Sequence, residues 1–413
     1  MHHQVLIIGG GAAGISVAAS LIRRQGQRDL DIAIVEPSQN HYYQPALTLV
    51  GAGAYSLGKT RRSEKSLIPK GVTWLQDSAS GFDPAANSVT LAADGTVTYD
   101  YLVVCPGLEL NWDAISGLSD TLGENGVCSN YSPHHAEYTW QCLRELNAGA
   151  QALFTQAPLP FKCPGAPQKI AYLAADHLQQ RNLLSTCDLH FLTHGPAMFG
   201  VPYFAAELDK VAARWGINVH LQTNLVAVDG TQQKATFEIV GGEGEGEQVE
   251  MNYDMLHVTP YQSPPASIKS SALANDAGYV DVDQSTMQHN EFANVFGLGD
   301  AASTPNSKTA AAVRKQSPVV VRNLLRLLDG EDLSETYDGY GSCPLTTAYG
   351  KVMLAEFTYG GKVTPTFPLD PRKERRSMWW VKKTALPIMY WDYMLKGREA
   401  FLEHRTDYDP PGG

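Results

Sequence analysis

The stretch QVLIIGGGAAGISVAASL near the start of the chain constrains the fold more than any other. Residues 4–8 are apolar and read as a buried strand. Gly9, Gly11 and Gly14 follow as G-x-G-x-x-G, and 12–24 carry a helical pattern. A second apolar strand, DIAIVE, ends at Glu36. The glycine pattern alone is weak evidence. Placed after a strand, opening a helix and trailed by an acid at the end of the next strand, it predicts a parallel βαβ unit that holds a dinucleotide. The glycines permit a tight turn and let a pyrophosphate approach the backbone at the helix N-terminus. Glu36 is placed to accept hydrogen bonds from an adenosine ribose.

An internal echo predicts a second, related unit. YDYLVVCPG at 99–107 and YDMLHVTPY at 253–261 each join Tyr-Asp, a buried strand and a proline turn. Each follows a hairpin-like region, one over 87–98 and one around the acidic loop GGEGEGE at 241–247. Two α/β units are expected, the second interrupting the first, which resumes near Ser270. The resumption carries NVFGLGDAA, with Gly299 and Asp300 ahead of the helical run TAAAVRKQ. Asp300 reads either as a helix N-cap or as the acid that a flavoprotein brings to the ribityl-phosphate end of its cofactor. The boundaries that follow are 1–115 for the first nucleotide segment, 116–268 for the second unit, 269–350 for the return and 351–413 for a C-terminal region.

The 413 residues suffice for two to three domains. With 32 Lys+Arg against 43 Asp+Glu the net charge is −11, which argues against nucleic acid as a partner. No basic, apolar leader opens the chain, and no run of about eighteen apolar residues predicts a bilayer span. The six cysteines form no C-x-x-C pair, so neither a disulfide scaffold nor a metal site is expected.

The second unit lacks what a pyridine-nucleotide reductase needs there. Its first strand is followed by APLPFKCPGAPQK, where Gly165 stands alone and Pro158, Pro160, Pro164 and Pro167 offer no N–H to a phosphate. The electrons must then come from elsewhere. Cys163 precedes a helix expected to begin near Gln168, and Lys162 and Lys169 flank it, all of which favour a thiolate. Cys343 lies in YDGYGSCPLTTAYG, read as a glycine-rich turn closed by Pro344. Each alone reads equally well as a buried turn cysteine. Together they are expected to meet and hold a sulfur bridge over a flavin.

The stretches KCPGAPQKIAYL, MLHVTPYQSPP, VFGLGDAASTPNSKTAAAV, YDGYGSCPL and LAEFTYGGK together resemble the sulfide:quinone oxidoreductase family, in particular the branch that includes the mitochondrial enzymes. The resemblance covers nearly the whole chain. It implies an α/β fold of two Rossmann-like dinucleotide-binding domains, the second degenerate, plus a C-terminal amphipathic helical region that binds a membrane. It implies FAD, held by Gly9, Gly11, Ala12, Ala13, Gly14, Glu36, Gln44, Ala79, Pro106, Gly107, Gly299, Asp300 and Lys308. It implies that hydrogen sulfide attacks a sulfur bridge between Cys163 and Cys343. Electrons pass through FAD to ubiquinone or another membrane quinone. The sulfane sulfur leaves to a low-molecular-weight thiol, to sulfite or as polysulfide. Another branch uses a third cysteine, a role for which Cys128 is the candidate, although Cys128 is expected to be non-essential. A homo-oligomer is compatible with all of this.

Residues 372–405 carry nine Lys/Arg against four Asp/Glu, interleaved with Trp379, Trp380, Tyr390, Trp391 and Tyr393. Such a segment reads as a helix lying in the membrane interface, or as one packed on its own protein. Pro387 is expected to separate two short helices. A quinone is lipid-soluble, which favours the membrane reading, with Phe357, Tyr359, Trp379, Tyr390 and Trp391 lining its entrance. The expected location is a peripheral one, on a bacterial inner membrane. An NADH:quinone dehydrogenase of the same architecture and a non-catalytic persulfide sensor or sulfur carrier are the competing functions.

Overall fold

The structure, a computed structural model, describes residues 1–93, 95–400, 402–404 and 408. Arg405, the end of the basic segment, lies outside the described residues. The first sheet has the order Val72–Leu75, Ile32–Val35, His2–Ile8, Thr96–Val104, Ser88–Leu91, Ala79–Asp83. Val5, Leu6 and Ile7 are fully buried, so both faces of the central strand are covered, as a parallel sheet requires. The helix Ala12–Arg24 packs against the helix Ala310–Leu328 over this sheet. The nine-residue strand Thr96–Val104 pairs with His2–Ile8 along one edge and serves two partners along the other. Its first half pairs antiparallel with Ser88–Leu91, and its second half pairs parallel with Val295–Gly297. The chain therefore returns to its first sheet after nearly two hundred intervening residues.

Those residues build a second parallel sheet, ordered Val127–Cys128, Met255–His257, Gln151–Gln156, Asp188–Thr193, Asn218–His220. The two Tyr-Asp stretches occupy matching places. Thr96–Val104 lies beside His2–Ile8, and Met255–His257 lies beside Gln151–Gln156, each pair parallel. A three-stranded antiparallel ribbon, Thr223–Asp229, Lys234–Ile239 and Gln248–Asn252, leads into the second. The acidic loop is the turn between its last two strands.

Two local expectations need correction. Cys343 and Pro344 are not in a turn. They lie in the strand Gly341–Ala348, paired antiparallel with Lys351–Phe357. A two-stranded ribbon consists of edges only, so the N–H that proline lacks need not interrupt a ladder. Pro387 does not separate two helices either. Helical backbone runs from Arg376–Trp380 through Val381–Ala385, Leu386–Ile388 and Met389–Tyr393 to Met394–Lys396. The segments on both sides of the proline are π-helical. Their wider turns shift the hydrogen-bond register around the missing N–H and leave room for the ring.

Candidate active site

The loop after the strand Gln151–Gln156 delivers Cys163 to the site in a left-handed backbone, φ 53°. That conformation costs a non-glycine residue ~1–2 kcal/mol. Three hydrogen bonds hold it. The Cys163 N–H donates to Lys308 O at 2.8 Å, and its carbonyl accepts from Ala166 N at 2.9 Å and from the Tyr131 hydroxyl at 3.3 Å. The helix then begins at Ala166, two residues before the expected Gln168, with Pro167 in its first turn. Cys343 reaches the same point from its strand. Gly165 leaves the space for it: a Cβ there would stand 2.6 Å from Cys343 Sγ.

The two thiols are neighbours, and both are free. Cys163 is held well below the ordinary thiol range, first by the hydrogen bond from Cys343, then by Lys169 and Lys382, all acting against burial. Cys343 is pushed the other way, as the donor to its partner and as a buried group. Lys169 Nζ lies 3.3 Å from Cys163 Sγ, and its side chain is 2% exposed. Burial opposes its charge, yet the sulfurs beside it leave its pKa raised. Lys162, the other expected partner, instead donates to Gln44 Oε1 at 2.8 Å. Lys382 is the cation that sequence reasoning missed. It comes from the C-terminal helical run, is 5% exposed, and has its pKa lowered to about 7 by burial and by Lys169, in part offset by the two sulfurs.

The expected flavin contacts fall on several segments. Gly9 has φ +104°, and a Cβ there would lie 2.5 Å from the Cys105 carbonyl; one on Gly14 would meet the Gly9 carbonyl at 1.8 Å. Only glycine lets this turn close. Space is open over Gly11, the N-cap residue of the helix Ala12–Arg24, where no side chain caps and no acid lies in the first turn. The free N–H groups there suit a pyrophosphate, and this fits FAD. Glu36 accepts from Gly10 N and Ser38 N, both at 2.8 Å, which fixes its carboxylate beside that turn. Pro106 and Gly107 follow the strand Thr96–Val104, next to Gly9.

Asp300 is not a helix cap: Thr309 caps Ala310–Leu328 through Ala312 N. Burial raises the Asp300 pKa, while Lys308 and Lys162 hold it down. Gly299, just before it, has φ +77° and donates its N–H to Gln316. Lys308 is lowered to about 8 by burial, offset by Asp300, and donates to Ala302 O and Thr304 O. Gln44, Lys162, Cys163, Asp300 and Lys308 thus form one neighbourhood, drawn from three stretches of chain. Ala79 stands apart from it, at the start of the strand Ala79–Asp83.

Cys128 is buried beside the Cys142 thiol of the helix Ala136–Glu145. The aromatic candidates do not form one group. Phe357 packs edge-on against Phe199. Tyr359 donates its hydroxyl to Gln284 O at 2.7 Å. Trp379 packs on Tyr349. Tyr390 and Trp391 cluster with Tyr43 and His41, and the Tyr390 hydroxyl lies 2.6 Å from His41 Nε2.

Residues 3–138 match the pyridine nucleotide-disulphide oxidoreductase family. The chain is 45% identical over 397 residues to a mitochondrial sulfide:quinone oxidoreductase of Dictyostelium discoideum, covering 96% of this chain and 86% of that one. It is 41% identical over 396 residues to the mitochondrial sulfide:quinone oxidoreductase of Mus musculus, covering 96% and 87%. Its fold matches the crystal structure of the sulfide:quinone oxidoreductase of Aquifex aeolicus with a TM-score of 0.78 at 20% identity, covering 100% of this chain and 99% of that one.

Proposed function

The chain belongs to the sulfide:quinone oxidoreductase family, and on that premise we propose that Cys163 and Cys343 are its sulfur-carrying redox pair. The protein is an FAD-dependent oxidoreductase that oxidises sulfide with a quinone as acceptor. Bound FAD supplies the two-electron step between sulfur and quinone. The residues named at the glycine turn, with Glu36, Gln44, Asp300 and Lys308, are proposed to hold it.

The neighbouring thiols beside two buried lysines carry this reading. Hydrosulfide attacks one sulfur of the oxidised bridge. A new S–S bond forms to the incoming sulfur, the bridge opens, and the other cysteine leaves as a thiolate. The cysteine with the lower pKa is the better leaving group. That is Cys163, so the incoming sulfur is placed on Cys343. Lys169 stabilises the departing thiolate from 3.3 Å. Lys382, poised at about 7, exchanges a proton beside it. The sulfane sulfur then passes to a thiol, to sulfite or into polysulfide, which returns Cys343 as a thiolate. Re-forming the bridge from the two thiolates releases the two electrons that bound FAD would accept for the quinone.

The test is anaerobic addition of sulfide to the FAD-loaded protein, followed at the flavin absorption band. Bleaching by sulfide and none by NADH is expected. Cys163→Ser and Cys343→Ser should each retain FAD and lose the response. Bleaching that survives either substitution would sink the assignment.

Peripheral membrane attachment is also proposed. No helix among the described residues is long and apolar enough to cross a membrane. The C-terminal helical run buries Met378, Tyr390, Trp391, Met394 and Leu395 against its own protein. It leaves Trp380 59%, Ile388 50% and Tyr393 41% exposed, which suits an interface.

A further inference from the structure

We propose that the basic cleft beside the C-terminal helix binds the phosphate headgroup of an anionic phospholipid. The cleft encloses 1260 Å³ between the segment 50–62, the helix Ala136–Glu145 and residues 383–392. Five cations line it: Lys59, Arg61, Arg62, Arg144 and Lys383. Two carboxylates share it, Glu137 and Asp392, and Asp392 is held by Lys396 at 2.8 Å. None of the five cations forms an ion pair among the described residues. The whole chain carries a net charge of −11, so a cleft lined by five cations and two carboxylates is a local exception that draws its anion from outside.

The donors are pre-oriented. The Arg62 guanidinium lies 4.3 Å over the buried Trp391 ring, and that of Arg144 lies 5.8 Å from Trp140. Cation–π attraction restrains each guanidinium near its ring and leaves its N–H groups for phosphate oxygens. A ligand therefore meets donors that have already lost much of their rotamer freedom.

The apolar rim identifies the source of the phosphate. Pro387 and the half-exposed Ile388 border the cleft, on the helical run that also exposes Trp380 and Tyr393. A headgroup seated among the cations would have this surface beside it for its acyl chains. A soluble phosphate has no use for it. A nucleic acid, longer than the cleft, would run onto an otherwise acidic molecule. The inference rests on the peripheral membrane attachment proposed above.

The test is vesicle flotation of the full-length, FAD-loaded protein. Phosphatidylcholine vesicles are compared with vesicles that also contain phosphatidylglycerol. Tighter binding to the anionic vesicles is expected, by about five-fold for each contributing cation. The double variant Arg61→Gln/Arg144→Gln should lose that preference, yet bind phosphatidylcholine and bleach with sulfide as the parent does. Arg376→Gln, on the same helical run but outside the cleft, should keep the preference. If it loses as much, the attraction is diffuse and the site is refuted. Equal binding to both vesicles also refutes the site and leaves membrane attachment standing. Binding to neither refutes the attachment itself. Displacement of the anionic vesicles by millimolar pyrophosphate, with no displacement by choline phosphate, would assign the cleft to a soluble anion and overturn the lipid assignment.

Discussion

Lys382 brings a second ammonium into the space already held by Lys169, and this fixes a sign for the pH dependence of stability. Its pKa is about 7 in the folded protein against an ordinary 10.5, lowered first by burial and then by Lys169. Between those values the unfolded chain keeps a proton that the folded protein has released, so stability rises with pH across the window. Below about 7 both states hold the proton and the folded state carries the whole cost. Lys382→Met should therefore melt above the parent at about pH 6, and the gap should close toward about pH 10. A gap that does not vary with pH would refute the assignment. Gly165 makes a steric prediction. Its φ is −86°, which any residue can adopt, so its smallness serves the close approach of Cys343 and of Leu345, whose Cδ2 a Cβ would meet at 2.7 Å. Gly165→Ala should cost about 1–3 kcal/mol of stability by overpacking. It should also slow sulfide-driven bleaching at least about ten-fold, since a shift of roughly an ångström is enough for that. Denaturant titration and stopped-flow absorbance check the two effects. Cys163 was legible in the sequence because prolines surround it where phosphate donors should be. Lys382 was not. In the sequence it is one of several lysines in a basic run, and only the docking of its helix separates it from Lys383, which stays at the surface.

Elements built from local rules were the easiest to read from sequence. The helix Ala12–Arg24 has the bounds that its glycine turn and apolar spacing predict. The C-terminal helical run was harder because Pro387 carries a strong local signal for a break. The π turns around it cannot be recognised from composition, since they depend on what the helix packs against. Cys343 shows the same limit. Glycine and proline around it suggest a turn, while its pairing with Lys351–Phe357 makes it a strand. The C-terminal run packs one face on its own protein and leaves Trp380, Ile388 and Tyr393 exposed on the other, the face that the proposed membrane contact would use. Its buried face includes Tyr390, bonded to His41, which is why truncation would be a poor test. Point changes on the outer face are better. Trp380→Ser/Ile388→Ser should weaken binding to phosphatidylcholine vesicles at least about ten-fold, since each removes a large apolar side chain from the interface. Sulfide-driven bleaching should be unaffected. Undiminished flotation would show that another surface makes the contact.

At the scale of the whole molecule, the repeated Tyr-Asp strand was the useful signal. It placed two sheets in the chain and the return of the first after the second, because parallel strands need long crossovers. That the loops of Cys163 and Cys343 meet was expected from the paired Cys-Pro settings and the missing phosphate loop. That Lys382 joins them was not legible, since it is far away in sequence and nothing local says that its helix docks there. The same long-range closure governs the two ends of the chain. Arg24, at the end of the first helix, pairs with Glu399, 375 residues later. Gly397 lies against the backbone of Ala19, where a Cβ would come within 2.5 Å. Synthesis proceeds at roughly 5–20 residues per second, so the first helix waits about 20–75 s for the segment that covers it. Throughout that interval the part of the first helix around Ala19 that residues 394–397 will cover stays open, even after Ala310–Leu328 has packed on the same helix. A chaperone that holds this patch of the first helix until residues 394–397 arrive has a defined target.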